Sequence, residues 1–123
     1  MKTVLIIFSL VFLLAVPLLA VNSETNFGGV GIDGIPLPGG QIRIGQLVNG
    51  GPAQAAGIRV GDIITHIGGK ATLGSNFQIM VNKRLRGIAG SQVVLKIRRE
   101  GEEKLLTFTL KRRQIVVTPP REK

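Results

Sequence analysis

Few side chains in this sequence are equipped for bond-making chemistry. His66 is the sole histidine, cysteine is absent, and the carboxylates are scattered. A nucleophile–histidine–carboxylate relay needs three converging groups, whereas Ser75 reads as a helix cap and Ser91 as a turn residue. A lone histidine in a strand, as His66 is, faces solvent far more often than it catalyses. Structural or catalytic zinc asks for clustered Cys and His, so neither a metal nor a cofactor is expected. The segment that invites attention works through its backbone: "FGGVGID", residues 27–33. With glycines around one valine, successive N–H groups along Gly29-Val30-Gly31-Ile32 can converge on an anion. The same residues also read as a plain glycine-rich loop at the start of a domain, and the pattern alone does not choose.

Such a loop needs a scaffold, and the rest of the chain supplies one. "QIRIGQLV", Gln41 to Val48, alternates Ile42 and Ile44 against Arg43, a half-buried strand. Ile63 to Ile67 is a second strand, closed by the turn pair Gly68-Gly69. A hairpin follows: Val93, Leu95 and Ile97 face the core, Val94, Lys96 and Arg98 face out, and Glu100-Gly101-Glu102 turns the chain. Leu106, Phe108 and Leu110 then return inward, opposite Thr107, Thr109 and Lys111. Two helices fit between these strands. The first is "GGPAQAAGI": Pro52 suits the first helical position and Gly57 the left-handed position past the end. The second runs from about Asn76 to Arg86, with Ser75 as its N-cap and Gly87 as its end. Phe77, Met80, Val81, Arg84, Leu85 and Ile88 share one side of it. Arg84 either snorkels over the core edge or sits at a groove. Ile115 to Val117 reads as a last short strand, and residues 118–123 as a disordered basic tail.

Composition narrows the function classes. The formal charge is +9, concentrated late in the chain at Lys96, Arg98, Arg99, Lys104, Lys111, Arg112, Arg113, Arg121 and Lys123. Attraction to anionic partners is one explanation. A solvated sheet face plus a basic tail is the plainer one and fits the alternation. With five aromatics, all Phe, there is little to stack on bases, and nucleic acid is set aside. Met1-Lys2 and the apolar run Val4 to Val21, broken at Pro17, read as a secretory signal over residues 1–23. The competing view is an uncleaved anchor, a membrane tether through residues 4–21. Either way the remainder is exported. About a hundred residues remain, one domain.

The order of elements and three motifs carry a resemblance. Gly50-Gly51-Pro52-Ala53, Ala56-Gly57-Ile58 and Gly61-Asp62-Ile63-Ile64 occur in sequence, followed by "LRGIAGSQVVLKIRREGEE". Over Phe27 to Val117 the chain resembles the PDZ domain, in the circularly permuted form of bacterial exported C-terminal processing and HtrA-like proteases. Gly51 replaces that motif's usual serine, a change worth a few tenths of a kcal/mol at an N-cap. The resemblance implies an α+β fold, a small partly open β-barrel or sandwich of five to six strands with two helices, spanning residues 27–117. It also implies a strand-addition site for extended peptides and protein C-termini. Amides of Val30, Gly31 and Ile32 in the loop Gly29–Ile32 would hold the carboxylate. Ile32-Asp33-Gly34-Ile35-Pro36 would be the receiving edge. Phe77, Met80, Val81 and Arg84 would supply the other wall, favouring an apolar last residue.

Gly34 and Pro36 shorten the usable register, so affinity on the order of micromolar, about −8 kcal/mol, is expected. PDZ-bearing proteases keep their nucleophile in a separate domain, for which 123 residues leave no room, so the chain is expected to be non-enzymatic. The implied role is an exported peptide-binding module, an adaptor or regulator of an envelope protease. It would be periplasmic or secreted, or anchored in the inner membrane facing the periplasm. The alternative is a membrane-tethered structural component of a secretion or envelope complex.

Overall fold

The structure is a computed structural model that describes residues 27–115. The expected signal or anchor, residues 1–23, and the expected basic tail, residues 118–123, lie outside the described residues. In chain order the elements are β1 (Phe27–Gly28), β2 (Ile32–Pro36), β3 (Ile42–Leu47), α1 (Pro52–Ala55), β4 (Ile63–Ile67) and β5 (Lys70–Ala71). Then come α2 (Phe77–Ile79), a π-helical stretch (Met80–Leu85), β6 (Gly87–Ile88), β7 (Gln92–Arg98) and β8 (Leu106–Lys111). The α+β class and the two helices match expectation. The strand count is eight among the described residues, because β1, β5 and β6 are two-residue pairings with no hydrophobic period to announce them.

An antiparallel sheet runs β2-β3-β4-β7-β8, with β5 folded back on β4, and β1 pairs β6 separately. Neither sheet closes on itself, so β2 is left as an edge. The alternation in β7 works as its sequence demands: Val93, Leu95 and Ile97 are buried and the residues between them are exposed. These side chains meet Ile42, Ile44, Ile64, Ile67 and Leu110 in one core, to which α1 adds Ala53 and the π stretch adds Met80 and Leu85. Each such aliphatic side chain contributes about 1.5–3 kcal/mol when fully buried. In β4 the register shifts between Ile64 and His66, which breaks the alternation. His66 is therefore half-buried rather than solvent-facing, with Nδ1 2.9 Å from Thr65 Oγ1.

The second helix departs from its expected form at both ends. Its N-cap is Asn76, whose side chain accepts from the Ile79 N–H at 3.0 Å, while Ser75 Oγ donates to the Ala71 carbonyl instead. Its end is not Gly87 but Arg86, already extended at φ −83° and ψ 157°, whose N–H reaches back five residues to the Val81 carbonyl at 3.0 Å. Gly87 belongs to β6, and a side chain there would collide with the Arg112 guanidinium, 2.8 Å from an added Cβ. Ile115 lies outside any strand, and the rest of the expected strand Ile115–Val117 lies outside the described residues.

The basic residues are also not all a solvated face. Arg99 pairs with the buried Asp62 at 2.7 Å and donates to the Gly57 carbonyl at 3.0 Å. Arg112 donates to the carbonyls of Arg84, Leu85 and Gln92 and to Ser91 Oγ. Arg113 donates to the Gly50 carbonyl at 2.9 Å.

Candidate functional site

A groove of about 490 Å³ opens between the loop 28–31, the edge strand β2 and the π-helical stretch. Its size is ordinary for a ligand site. Gly29, Val30, Gly31, Ile32 and Asp33 line one side, and Val81, Leu85 and Arg86 the other. Phe27 and Ile115, the first and last described residues, line it as well.

The loop's shape follows from its neighbours. Gly29 exchanges two hydrogen bonds with Arg113, each 2.9 Å, so its own amide is committed. The Val30 carbonyl accepts from the Ala53 N–H at 2.9 Å, which uses a free donor at the start of α1 to hold the loop down. Gly31 takes φ +80°, a left-handed conformation that side chains resist, and its carbonyl accepts from the Val48 N–H at 2.9 Å. Val30 and Gly31 are buried positions, yet among the described residues their N–H groups have no hydrogen-bond acceptor. Buried backbone donors are almost always paired, so these two are the loop's open donors.

Beyond the loop, the ladder sets which way β2 faces. Ile32 lies opposite Leu47 and Asp33 opposite Gln46. Because Gly31 and Val48 are hydrogen-bonded across the pair, alternation turns the N–H and C=O of Ile32 away from β3 and toward the open edge. A bulge between Asp33 and Gly34 ends this register, and Pro36 has no N–H to offer. The receptive edge is therefore short.

Of the expected wall residues Phe77, Met80, Val81 and Arg84, the groove lining includes Val81 alone. Val81 lines the groove with Leu85 and Arg86. Met80 is 1% exposed and part of the core. Phe77 packs half-buried against that core, near Gly34, and neither it nor Gly34 reaches the groove lining. Arg84 is exposed and outside the lining, its carbonyl held by Arg112. Arg86, which the sequence reading passed over, occupies the rim instead. The signal that could have found it is the "LRG" run itself, which ends the helix and turns the chain toward the loop. Among the described residues no group of three or more metal-ligating side chains gathers, and His66 contacts Thr65 rather than an acid and a nucleophile.

An open-edged sheet, a glycine loop with two amides unpaired among the described residues, and a helix facing both meet at one groove, and sequence comparison bears on what they form. Residues 43–99 match the family described as the PDZ domain. The chain carries a PDZ domain. Over 92 residues it is 35% identical to the carboxy-terminal processing protease CtpB of Bacillus subtilis, covering 75% of this chain and 19% of that protein. Among solved structures, the photosystem II D1 C-terminal processing protease superposes with a TM-score of 0.67 at 30% identity, over 76% of this chain and 25% of that one. The PDZ domain of the carboxy-terminal protease from Vibrio cholerae, solved in complex with peptide, gives 0.65 at 26% identity, over 75% of this chain and 99% of that one. The chain spans about a fifth of the length of the curated relatives it matches. Its PDZ domain is thus homologous to the PDZ regions of processing proteases.

Proposed function

We propose that this PDZ domain binds extended protein C-termini by adding them as a strand to β2. The supporting observation is the pair of open amides at Val30 and Gly31, placed where the outward-facing edge of Ile32 begins. A peptide backbone pairs with the outward N–H and C=O of Ile32, its carboxylate meets the loop, and its last side chain lies among Val30, Ile32, Val81, Leu85 and Ile115. Those walls favour an apolar last residue. The short edge before the Asp33/Gly34 bulge limits the contact to a few residues and the affinity to about micromolar. The chain acts without chemistry of its own, as an exported adaptor or regulator of an envelope protease. The apolar run Val4–Val21 supports export, with a membrane tether as the second reading.

Titration calorimetry with the full chain against peptides with free and amidated C-termini tests the site. Free acids should bind and amides should not, and Gly31→Glu should abolish binding by placing a side chain and a negative charge at the loop. Equal affinity for acids and amides would point to internal strand addition instead. Sequencing the N-terminus of the protein recovered from membranes and from the soluble envelope fraction decides between cleavage and tether.

A further inference from the structure

The sheet has a second edge, built unlike the first. β8 ends the strand order on the side away from β2. On β2 a bulge between Asp33 and Gly34 interrupts the ladder and Pro36 has no N–H, both of which blunt an edge. β8 has neither: it pairs with β7 residue for residue from Leu106 to Lys111 without a shift. Its outward groups follow from the bonds just past it. Arg112 donates its N–H to the Ser91 carbonyl at 2.7 Å and accepts from the Gly90 N–H at 2.8 Å, on the β7 side, whereas Arg113 exchanges its bonds with Gly29 on the other side. Alternation back along the strand turns the N–H and C=O of Lys111, Thr109 and Thr107 to the open side. Among the described residues no strand lies there to pair them. A space of about 640 Å³ adjoins Thr109 and Lys111 and is bounded by Pro52, Ala55 and Ala56, short side chains that leave room for a backbone.

The two ends of this edge differ in charge. The turn before β8 holds Glu100, Glu102 and Glu103 with Lys104, while Lys111, Arg112 and Arg113 close the strand. Among the described residues the one ion pair is Asp62–Arg99, so no carboxylate pairs with these three cations, and no acidic residue lines the adjoining space. We propose that β8 is a self-association edge, on which two copies of this chain pair β8 against β8, antiparallel, about a two-fold axis at Thr109. Thr109 then faces its own counterpart and Thr107 faces Lys111, so the outward N–H and C=O groups of both strands are bonded and the two sheets run on as one. Charge selects the direction. Antiparallel pairing brings the glutamates of each copy toward the basic end of the other, whereas parallel pairing would set acid on acid and base on base. The edge is short, so the association is weak and concentration-dependent. It is independent of the peptide reading, because β2 lies at the opposite edge of the sheet.

Sedimentation equilibrium of the full chain tests it, in a mild detergent that shields the apolar run Val4–Val21. Concentrations run from about 10 µM to about 1 mM, at about 50 mM and about 500 mM salt. Wild type should pass from monomer to dimer, and at lower concentration in low salt. Thr109→Pro removes an outward N–H from both copies while sparing the ladder to β7, and should weaken the dimer about tenfold. Thr109→Lys keeps the backbone and sets like charges across the axis, and should weaken it as well. Thermal unfolding of Thr109→Lys close to that of wild type separates this from damage to the fold. Because the chain has no cysteine, Thr109→Cys gives one thiol per copy. Facing residues of a hydrogen-bonded antiparallel pair are about 5.5 Å apart between Cα atoms, within disulfide reach. Mild oxidation should therefore join two copies of Thr109→Cys and should not join Arg43→Cys, on the inner strand β3. A wild type that stays monomeric throughout overturns the inference. So do a dimer untouched by either Thr109→Pro or Thr109→Lys, and a Thr109→Cys that fails to cross-link.

Discussion

Arg99 and Arg112 each stand one residue past the end of a strand in the same hairpin, yet they anchor different helices by different chemistry. Arg99 reaches the far end of α1. It forks onto both carboxylate oxygens of Asp62 at 2.9 and 2.7 Å, takes the Gly57 carbonyl, and lies 5.9 Å over the Phe108 ring. Arg112 reaches the end of the π-helical stretch and finds carbonyls and one hydroxyl, with no carboxylate. The consequences are opposite in sign. The hydrogen bond to Asp62 raises the Arg99 pKa, whereas burial lowers that of Arg112. Burial alone would push the Asp62 carboxyl up, but hydrogen bonds from Arg99 and the Arg59 N–H, with their charges, outweigh it and hold the group below the usual carboxylate range. One anchor is an ion pair that acid can release. The other answers helix-end carbonyls with a permanent charge, and it is the one that fixes the groove wall.

Removing Arg112 should therefore have the larger effect. Arg112→Met strips partners from the Arg84, Leu85 and Gln92 carbonyls at once, and chemical denaturation should show a loss of about 4 kcal/mol. Peptide affinity should fall with it, because Leu85 and Arg86 lose their support. Asp62→Asn should cost about 3 kcal/mol at neutral pH, since it breaks a pair whose acid is buried, but should leave peptide affinity within twofold of wild type. A matching loss of affinity would mean that α1 and the groove are coupled and that the two anchors are not separate.

Acid sharpens the contrast. The folded pKa of Asp62 is below its unfolded value, so its contribution is complete above about pH 4 and is lost as pH falls through the folded value. Wild-type stability should decline in that window, Arg112→Lys should decline in parallel, and Asp62→Asn should be flatter. The smallest effect concerns the start of the second helix: Asn76→Ala should cost about 1 kcal/mol and Ser75→Ala less. The reverse order would restore Ser75 as the cap.

The parts of this fold that sequence discloses are those with a short period or a fixed turn chemistry. The hairpin β7–β8 and the caps of α1 follow directly from alternation, from Pro52 and from Gly57. The helical wall did not, and the reason is geometric. Counting by the α-helical period groups Arg84 with Val81 and hides Arg86. In the structure the last turn closes five residues apart, from Arg86 to Val81, which rotates the wall and exchanges the two arginines. No side chain in Met80–Leu85 announces that wider turn. At its end Arg112, just past a strand far along the chain, holds the Arg84 and Leu85 carbonyls. The Asp62–Arg99 pair was equally hidden, since a glycine–aspartate turn and a basic strand end carry no sign that they meet. The glycine loop was visible as a pattern, but which of its amides are unpaired among the described residues depends on Arg113 occupying Gly29 and sparing Val30 and Gly31.

That same pairing of Gly29 with Arg113 has a mechanical side. Phe27 and Ile115, the two ends of the described fold, leave it within two residues of this pair, both at the groove. Between Phe27 and Ile115 the Gly29–Arg113 bonds and the two-residue ladder of β1 on β6 lie outermost among the described residues, ahead of the central sheet along the chain. The clasp at this point adjoins the loop whose Val30 and Gly31 amides find no acceptor among the described residues.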